Sequence, residues 1–251
     1  MMDDALSNGT QSDVALPIGP RVDAAPARRP ERTTLQGRLV TLAPLDPRVH
    51  GDALYEGIRG EAGDRLWQYL FEGPFPDRAA FDIHLQRIAA SDDPLFFAIL
   101  ESTSGSAAGY ASYMRIEPTH RVIEVGSILY TPRLQRTALA TEAMYLMARH
   151  VFEDLGYRRY EWKCNAFNAP SRRAALRFGF SFEGIFRQHM VVKGRNRDTA
   201  WFSMLDSEWP ARKANFERWL DPSNFGEDGR QRVALSRLNE VSEGQDFQAR
   251  A

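Results

Sequence analysis

The stretch Gln135-Arg136-Thr137-Ala138-Leu139-Ala140-Thr141 follows directly on an apolar run that ends at Thr131-Pro132, and it opens a long helical pattern. A strand, a tight loop and a helix start leave several main-chain N–H groups without intrahelical acceptors, at the positive end of the helix dipole. Such an arrangement binds phosphate through backbone alone, and Arg136 adds a side chain able to make a charge-assisted contact. An ordinary capped helix is the alternative, and the residues by themselves leave both readings open. Neither G-x-G-x-x-G nor G-x-x-x-x-G-K-[ST] occurs, so a dinucleotide fingerprint and a P-loop are poor readings.

Other residues carry chemistry with a plain alternative beside it. Glu124 shares a strand face with Val122, Gly126, Ile128 and Tyr130, as a base in an apolar row or as a partly exposed strand-end carboxylate. His189 has an intrinsic pKa suited to proton transfer, or is a surface histidine. Arg197 and Asp198 in GRNRDTAW either orient a substrate or shape a hairpin turn. Trp67, Tyr69, Phe71 and Phe75 in LWQYLFEGPFP either wall a pocket or anchor a core. Cys164 is the only cysteine, which excludes an intrachain disulfide and a Cys-rich zinc site. The five histidines form no HxH or HExxH grouping, so no metal site is expected.

Charge and hydropathy narrow the class. The 32 basic and 33 acidic residues give a net charge of -1, with no excess pointing to nucleic acid. No apolar run approaches the ~20 residues that span a bilayer, and MMDDALSNGT is unlike a signal peptide. A soluble, cytoplasmic protein without nucleic-acid or membrane partners is the expectation.

These residues need elements to position them. Residues 1–34 read as a flexible leader, 35–221 as one folded domain and 222–251 as a polar, loose tail in which RVALSRLNEV could form a short helix. Strands are expected at 37–45, 94–102, 107–117, 122–130 and 158–165, with a closing hairpin from 182–194 and 198–206. Helices are expected over PRVHGDALYEGIRG, 77–91 and 168–180. A longer one follows the quoted loop, where Ala140, Ala143, Met144, Met147, Ala148, Val151, Phe152 and Leu155 define one apolar face. Strands first, then helix and strand in alternation, then strands again, predict an α+β fold with a mixed, mostly antiparallel sheet flanked by helices.

Three segments in this order, IEVGSILYTPRLQRTALATEA, RRYEWKCNAFNAPSRRAALRFGFSFEG and FRQHMVVKGRNRDTAWFSML, closely resemble the GNAT superfamily of acetyl-CoA-dependent N-acetyltransferases. The most similar branch acetylates protein N-termini, including ribosomal-protein N-terminal alanine acetyltransferases, and the resemblance covers roughly residues 35–210. It implies acetyl-CoA as donor, no metal, and an amine acceptor that is a peptide N-terminus or a small molecule, on a monomer or homodimer. The family's pyrophosphate loop, Q/R-x-x-G-x-G/A, matches as Gln135-x-x-Ala138-x-Ala140, with alanine at the central glycine. If that position needs φ > 0, Ala138 costs about 1 kcal/mol; if it is helical, the alanine is harmless. The resemblance places Asn168 and Ser171 beside the pantetheine arm and thioester, and makes Ser171 the candidate acid toward the departing thiolate; the tyrosine acid of many members falls at Ala175. Backbone N–H groups near Leu129 and Tyr130 would face the developing oxyanion. The branch's glutamate base falls at Met190; another part of the superfamily uses a glutamate on the strand before the phosphate loop, which matches Glu124, the first base candidate, with His189 second. Trp67, Tyr69, Arg197 and Asp198 are the acceptor-binding candidates.

The amine's own pKa bears on the missing glutamate. An α-amine near pKa 8 is about a tenth neutral at pH 7, and a lysine near 10.4 only about 0.04%. That difference of roughly 3 kcal/mol favours an α-amine where the base is weak or is only water. A catalytically weak acyl-CoA-binding sensor module is the reading of a different class.

Overall fold

Leu95, Phe97 and Ile99 pack into one apolar cluster, while Phe96 and Ala98 pack into another. This is the period-two pattern of a strand buried on both faces, and it tells how the molecule is layered. The computed structural model describes Leu16 and residues 18–240. Its strands are β1 (Leu35–Gln36), β2 (Val40–Pro44), β3 (Leu95–Glu101), β4 (Ala107–Glu117), β5 (Val122–Tyr130), β6 (Arg159–Asn165), β7 (Ser181–Val192) and β8 (Arg195–Leu205). They form one sheet in the spatial order β1-β2-β3-β4-β5-β6-β8-β7. Only β5 and β6 are parallel; every other neighbouring pair is antiparallel.

Helices cover both faces, as the α+β expectation required. One cluster joins α1 (Pro47–Gly57) and α3 (Arg78–Ala89) to the sheet through Leu54, Phe81, Leu85 and Ile88, with the short α2 (Gly60–Asp64) between them. The other joins α4 (Ala138–Arg149), α5 (Ala169–Arg177) and α6 (Trp209–Leu220) through Ala143, Met147, Ala175 and Phe216.

The structure corrects the sequence reading in three places. First, α4 is buried on more than one face: every residue from Ala140 to Ala148 is buried, Glu142 included. The reason is α6, which the sequence pattern missed and which stacks Phe216 and Trp209 around Tyr145. Glu142 is satisfied by the backbone N–H groups of Leu39 and Val40 at 2.5 and 2.8 Å, as a buried carboxylate must be. Second, the leader is tied down from Ala27, whose N–H donates to Pro118 O, while Arg28 N–H donates to Leu155 O, both at 3.0 Å. Third, the tail beyond 222 packs against the domain. Asn224 is buried and donates to Trp219 O and Val233 O at 3.1 and 3.2 Å, and Leu235 and Leu238 join the core. The remaining parts of the expected leader and tail, 1–15, 17 and 241–251, lie outside the described residues.

Candidate active site

β5 and β6 pair only from Val122↔Arg159 to Val125↔Trp162, although β5 continues to Tyr130 and β6 to Asn165. The cause lies on the other side of β5. Between the pairs Tyr110↔Leu129 and Ser112↔Gly126, β5 carries one more residue than β4, and Ser127 there has φ 48°. Such a bulge bends its strand and re-aims the backbone. The two strands part, and main-chain groups that a sheet would consume face a cleft of about 2010 Å³.

The cleft runs to the start of α4. Arg136 takes the left-handed conformation at φ 62°, and Thr137 caps the helix, its Oγ1 accepting from Ala140 N–H at 3.2 Å. Ala138 is the first helical residue, so alanine in place of glycine carries no strain there. The N–H groups of the first turn have no main-chain acceptors within the helix, Ala140's being capped by Thr137, and Gln135, Arg136, Thr137, Ala138, Ala140 and Thr141 line the cleft. Leu139 turns instead to the core. Leu129 buries its side chain in the α1–α3 cluster, so only its backbone can serve the site. Burial raises the Tyr130 phenol's pKa, and its hydroxyl donates to Ala140 O at 3.5 Å.

Arg177 belongs to the basic run RRAALR, from which the sequence alone does not single it out. Its Nη1 donates to Thr141 Oγ1 at 3.1 Å, and its guanidinium lies 4.8 Å from the Trp219 ring centroid. Burial lowers its pKa. It is one of seven arginines lining the cleft (Arg38, Arg65, Arg136, Arg173, Arg177, Arg197, Arg230), joined by Lys163, and no Asp, Glu or His is among the described lining residues. The chain has a net charge of -1, while the cleft lining is cationic, with Arg65, Arg230 and Lys163 ion-paired to carboxylates outside it. Phosphates fit it.

At the wedge, Asn168 caps α5 by accepting from Ser171 N–H at 3.1 Å, and Trp162 Nε1 donates to Ser171 Oγ at 3.0 Å. With that lone pair engaged, the serine's own proton is the group left to donate. Burial pushes the neighbouring Cys164 thiol up in pKa, against the Ser171 hydroxyl and the charges of Arg197 and Arg172. Ala175 is fully buried in the core.

The family description Acetyltransferase (GNAT) domain matches residues 40–181. This chain belongs to the GNAT acetyltransferase family. A GCN5-related N-acetyltransferase from Brucella melitensis is 52% identical, covering 86% of this chain and 98% of its own, with a TM-score of 0.84. A probable acetyltransferase (GNAT family) from Chromobacterium violaceum is 42% identical over 78% of this chain and 100% of its own, with a TM-score of 0.72. The ribosomal-protein-serine acetyltransferase of Escherichia coli (strain K12) is 32% identical over 101 residues, 40% of this chain and 56% of that protein. The chain spans little more than half the length of the curated relatives it matches.

Within this GNAT enzyme the remaining candidates separate. Glu124 is buried, and its Oε2 accepts from Arg115 Nη1 at 2.6 Å and Lys163 Nζ at 2.9 Å; Lys163 also holds Glu161 at 2.6 Å. Glu124 is not among the residues that line the cleft, and both cations sit on its Oε2. His189 is exposed on β7, its Nδ1 3.0 Å from Thr199 Oγ1, away from the cleft. Asp198 shapes the hairpin: it accepts from Gln188 N–H at 2.7 Å and Asn196 Nδ2 at 2.9 Å, which hold its pKa down. Trp67 is a core anchor, edge-on to Phe75 at 5.0 Å. Tyr69 and Phe71 do reach the cleft, Tyr69 with its hydroxyl donating to Phe167 O at 3.2 Å. Arg197 is there too, buried beneath Phe71, its guanidinium 4.9 Å from that ring centroid. Among the described residues, no group of three or more His, Cys, Asp and Glu could hold a metal ion.

Proposed function

We propose that this enzyme moves the acetyl group of acetyl-CoA to a primary amine, and that the amine is the α-amine of a peptide or protein N-terminus. The observation that carries the reading is the wedge between β5 and β6, which leads without interruption to the N-terminus of α4 in a cleft lined by cations and free of carboxylates. The residues fit such a donor: first-turn amides and Arg177 meet phosphate charge, and the parted strands leave room for an extended arm. Acetyl-CoA supplies an activated thioester. Unpaired backbone N–H groups of β5 stand where negative charge would develop on oxygen. Ser171 donates its proton to the departing thiolate, held for that task by Trp162 and the α5 cap.

No carboxylate or histidine is among the described residues that line the cleft, so on this reading the amine arrives neutral or loses its proton to water. This favours an α-amine over lysine by roughly 3 kcal/mol at pH 7. Calorimetry with coenzyme A, followed by thiol release from acetyl-CoA with peptide pairs, tests the reading. A peptide with a free N-terminus and blocked lysine should react, and its partner with a blocked N-terminus and free lysine should not. The opposite order, or no affinity for coenzyme A in folded protein, would overturn it.

A further inference from the structure

Arg197 is 7% exposed, yet its Nε has no hydrogen-bond partner, and no ion pair to it is made among the described residues. A buried cation without a counter-ion is costly, and the carboxylates nearby are committed elsewhere. Glu124 is held by Arg115 and Lys163, and Asp198 by the hairpin backbone and Asn196. Across the hairpin, the register partner of Arg197 is the apolar Met190. The side chain is nonetheless fixed in place. It lines the cleft, as Cys164 and Ser171 do, and lies beneath Phe71.

We propose that Arg197 is a substrate-binding residue that docks a carboxylate carried by the acceptor within a few bonds of its reacting amine. A guanidinium offers a planar fork matched to a carboxylate, and desolvation beneath an aromatic ring strengthens that pairing. Because Arg197 lines the same cleft as Cys164 and Ser171, the anion and the amine are held in one site. Two sources carry this chemistry: an acidic side chain at the first or second residue of a peptide, and the α-carboxylate of a free amino acid. The inference rests on the acetyl-transfer reading above.

The test is thiol release from acetyl-CoA with matched acceptors: peptide amides with Asp or Asn, or Glu or Gln, at the first or second position, and free amino acids against their amides. The wild-type enzyme should prefer the acidic member by at least about tenfold in kcat/KM, mainly through KM, as a charge-assisted pair would give. The arm that shows the preference identifies the source. Arg197→Gln should erase the preference, and Arg197→Lys should restore only part of it, because the fork is lost. Equal kcat/KM within every wild-type pair overturns the proposal and leaves acetyl transfer standing. So does a preference that survives in Arg197→Gln, or a variant whose kcat falls alike for both members of a pair. Absence of turnover with every acceptor overturns acetyl transfer and this proposal together.

Discussion

The two ends of the cleft are built by different means. At the donor end, a strand, one left-handed residue and a helix N-terminus present consecutive main-chain amides, all within Tyr130–Thr141. At the acceptor end, side chains from three distant segments converge: Tyr69 and Phe71 from the aromatic loop, Asn165 and Cys164 from β6, Arg197 from β8. The aromatic loop is held there by Lys193 at the hairpin tip, whose Nζ donates to Trp67 O at 2.7 Å and Glu72 O at 3.0 Å. A backbone site tolerates substitution of its side chains; a converging site changes its ligand with each one. The contrast suits one shared donor and a specialised acceptor.

The largest expected effect lies at the root of the wedge, which both ends share. Lys163 is buried between Glu124 and Glu161, register partners on the two strands just before they part. Lys163→Met leaves those carboxylates facing each other with only Arg115 and Arg159 beside them. Removing one member of a buried ionic group costs about 3–5 kcal/mol, so the denaturant midpoint should fall sharply. An unchanged midpoint would remove the network from its structural role and return Glu124 to contention as a base.

Smaller effects should sort by end. Ser171→Ala should lower kcat about 10²-fold or more while coenzyme A affinity stays within about twofold; a wild-type kcat would end its role as acid. Arg177→Gln should weaken coenzyme A about tenfold and leave the acceptor KM alone. Phe71→Ala should do the reverse, raising acceptor KM several-fold, about 1 kcal/mol, with coenzyme A affinity unchanged. If either variant moved both constants equally, the two ends would not be separable in the way their construction suggests.

The same contrast explains what could be read before the structure. Contiguous features were legible: the succession of strands along the chain, the cap at Asn168, and the loop from Gln135 to Thr141. Of the two conformations left open for Ala138 the helical one holds, and the left-handed residue is Arg136. Faces on the closing hairpin were not legible. β7 shifts register between Phe186 and Met190, with Gln188 at φ 49°, so the two-residue alternation that would aim His189 and Asp198 is broken. Trp67 and Tyr69 are two residues apart, yet one is core and the other lines the cleft, because the chain there turns as a helix and not as a strand. Arg177 was hidden as one basic residue in a basic helix; only the fold sets it over Trp219 and against Thr141.

The smallest expected effect is the response to acid, which should appear at one end alone. His84 sits under the aromatic loop, its ring centroid 4.7 Å from that of Phe75, with Nδ1 2.8 Å from Glu72 Oε2, Nε2 3.4 Å from the Tyr110 hydroxyl, and Arg87 beside it. Burial lowers its pKa below 6.5, more than Glu72 raises it, and burial acts in the same direction on His50 in α1. A folded-state pKa below the unfolded one means that the unfolded chain binds more protons. The stability that the neutral rings contribute is therefore complete above pH 6.5 and lost as pH falls below it toward the folded values. Glu72 titrates below its ordinary 4.5: burial raises it, but His84 and Arg87 together outweigh that, so it stays ionised through this window. Between pH 7.5 and 5.5, amide protection factors, taken against the intrinsic exchange rate at each pH, should fall in the aromatic loop, α1 and α3 before they fall in α4, whose cleft-lining turn has no histidine. His84→Gln should flatten that response. Protection that falls equally at both ends, or a variant that responds as the wild type does, would show that the acceptor end is no softer to acid than the donor end.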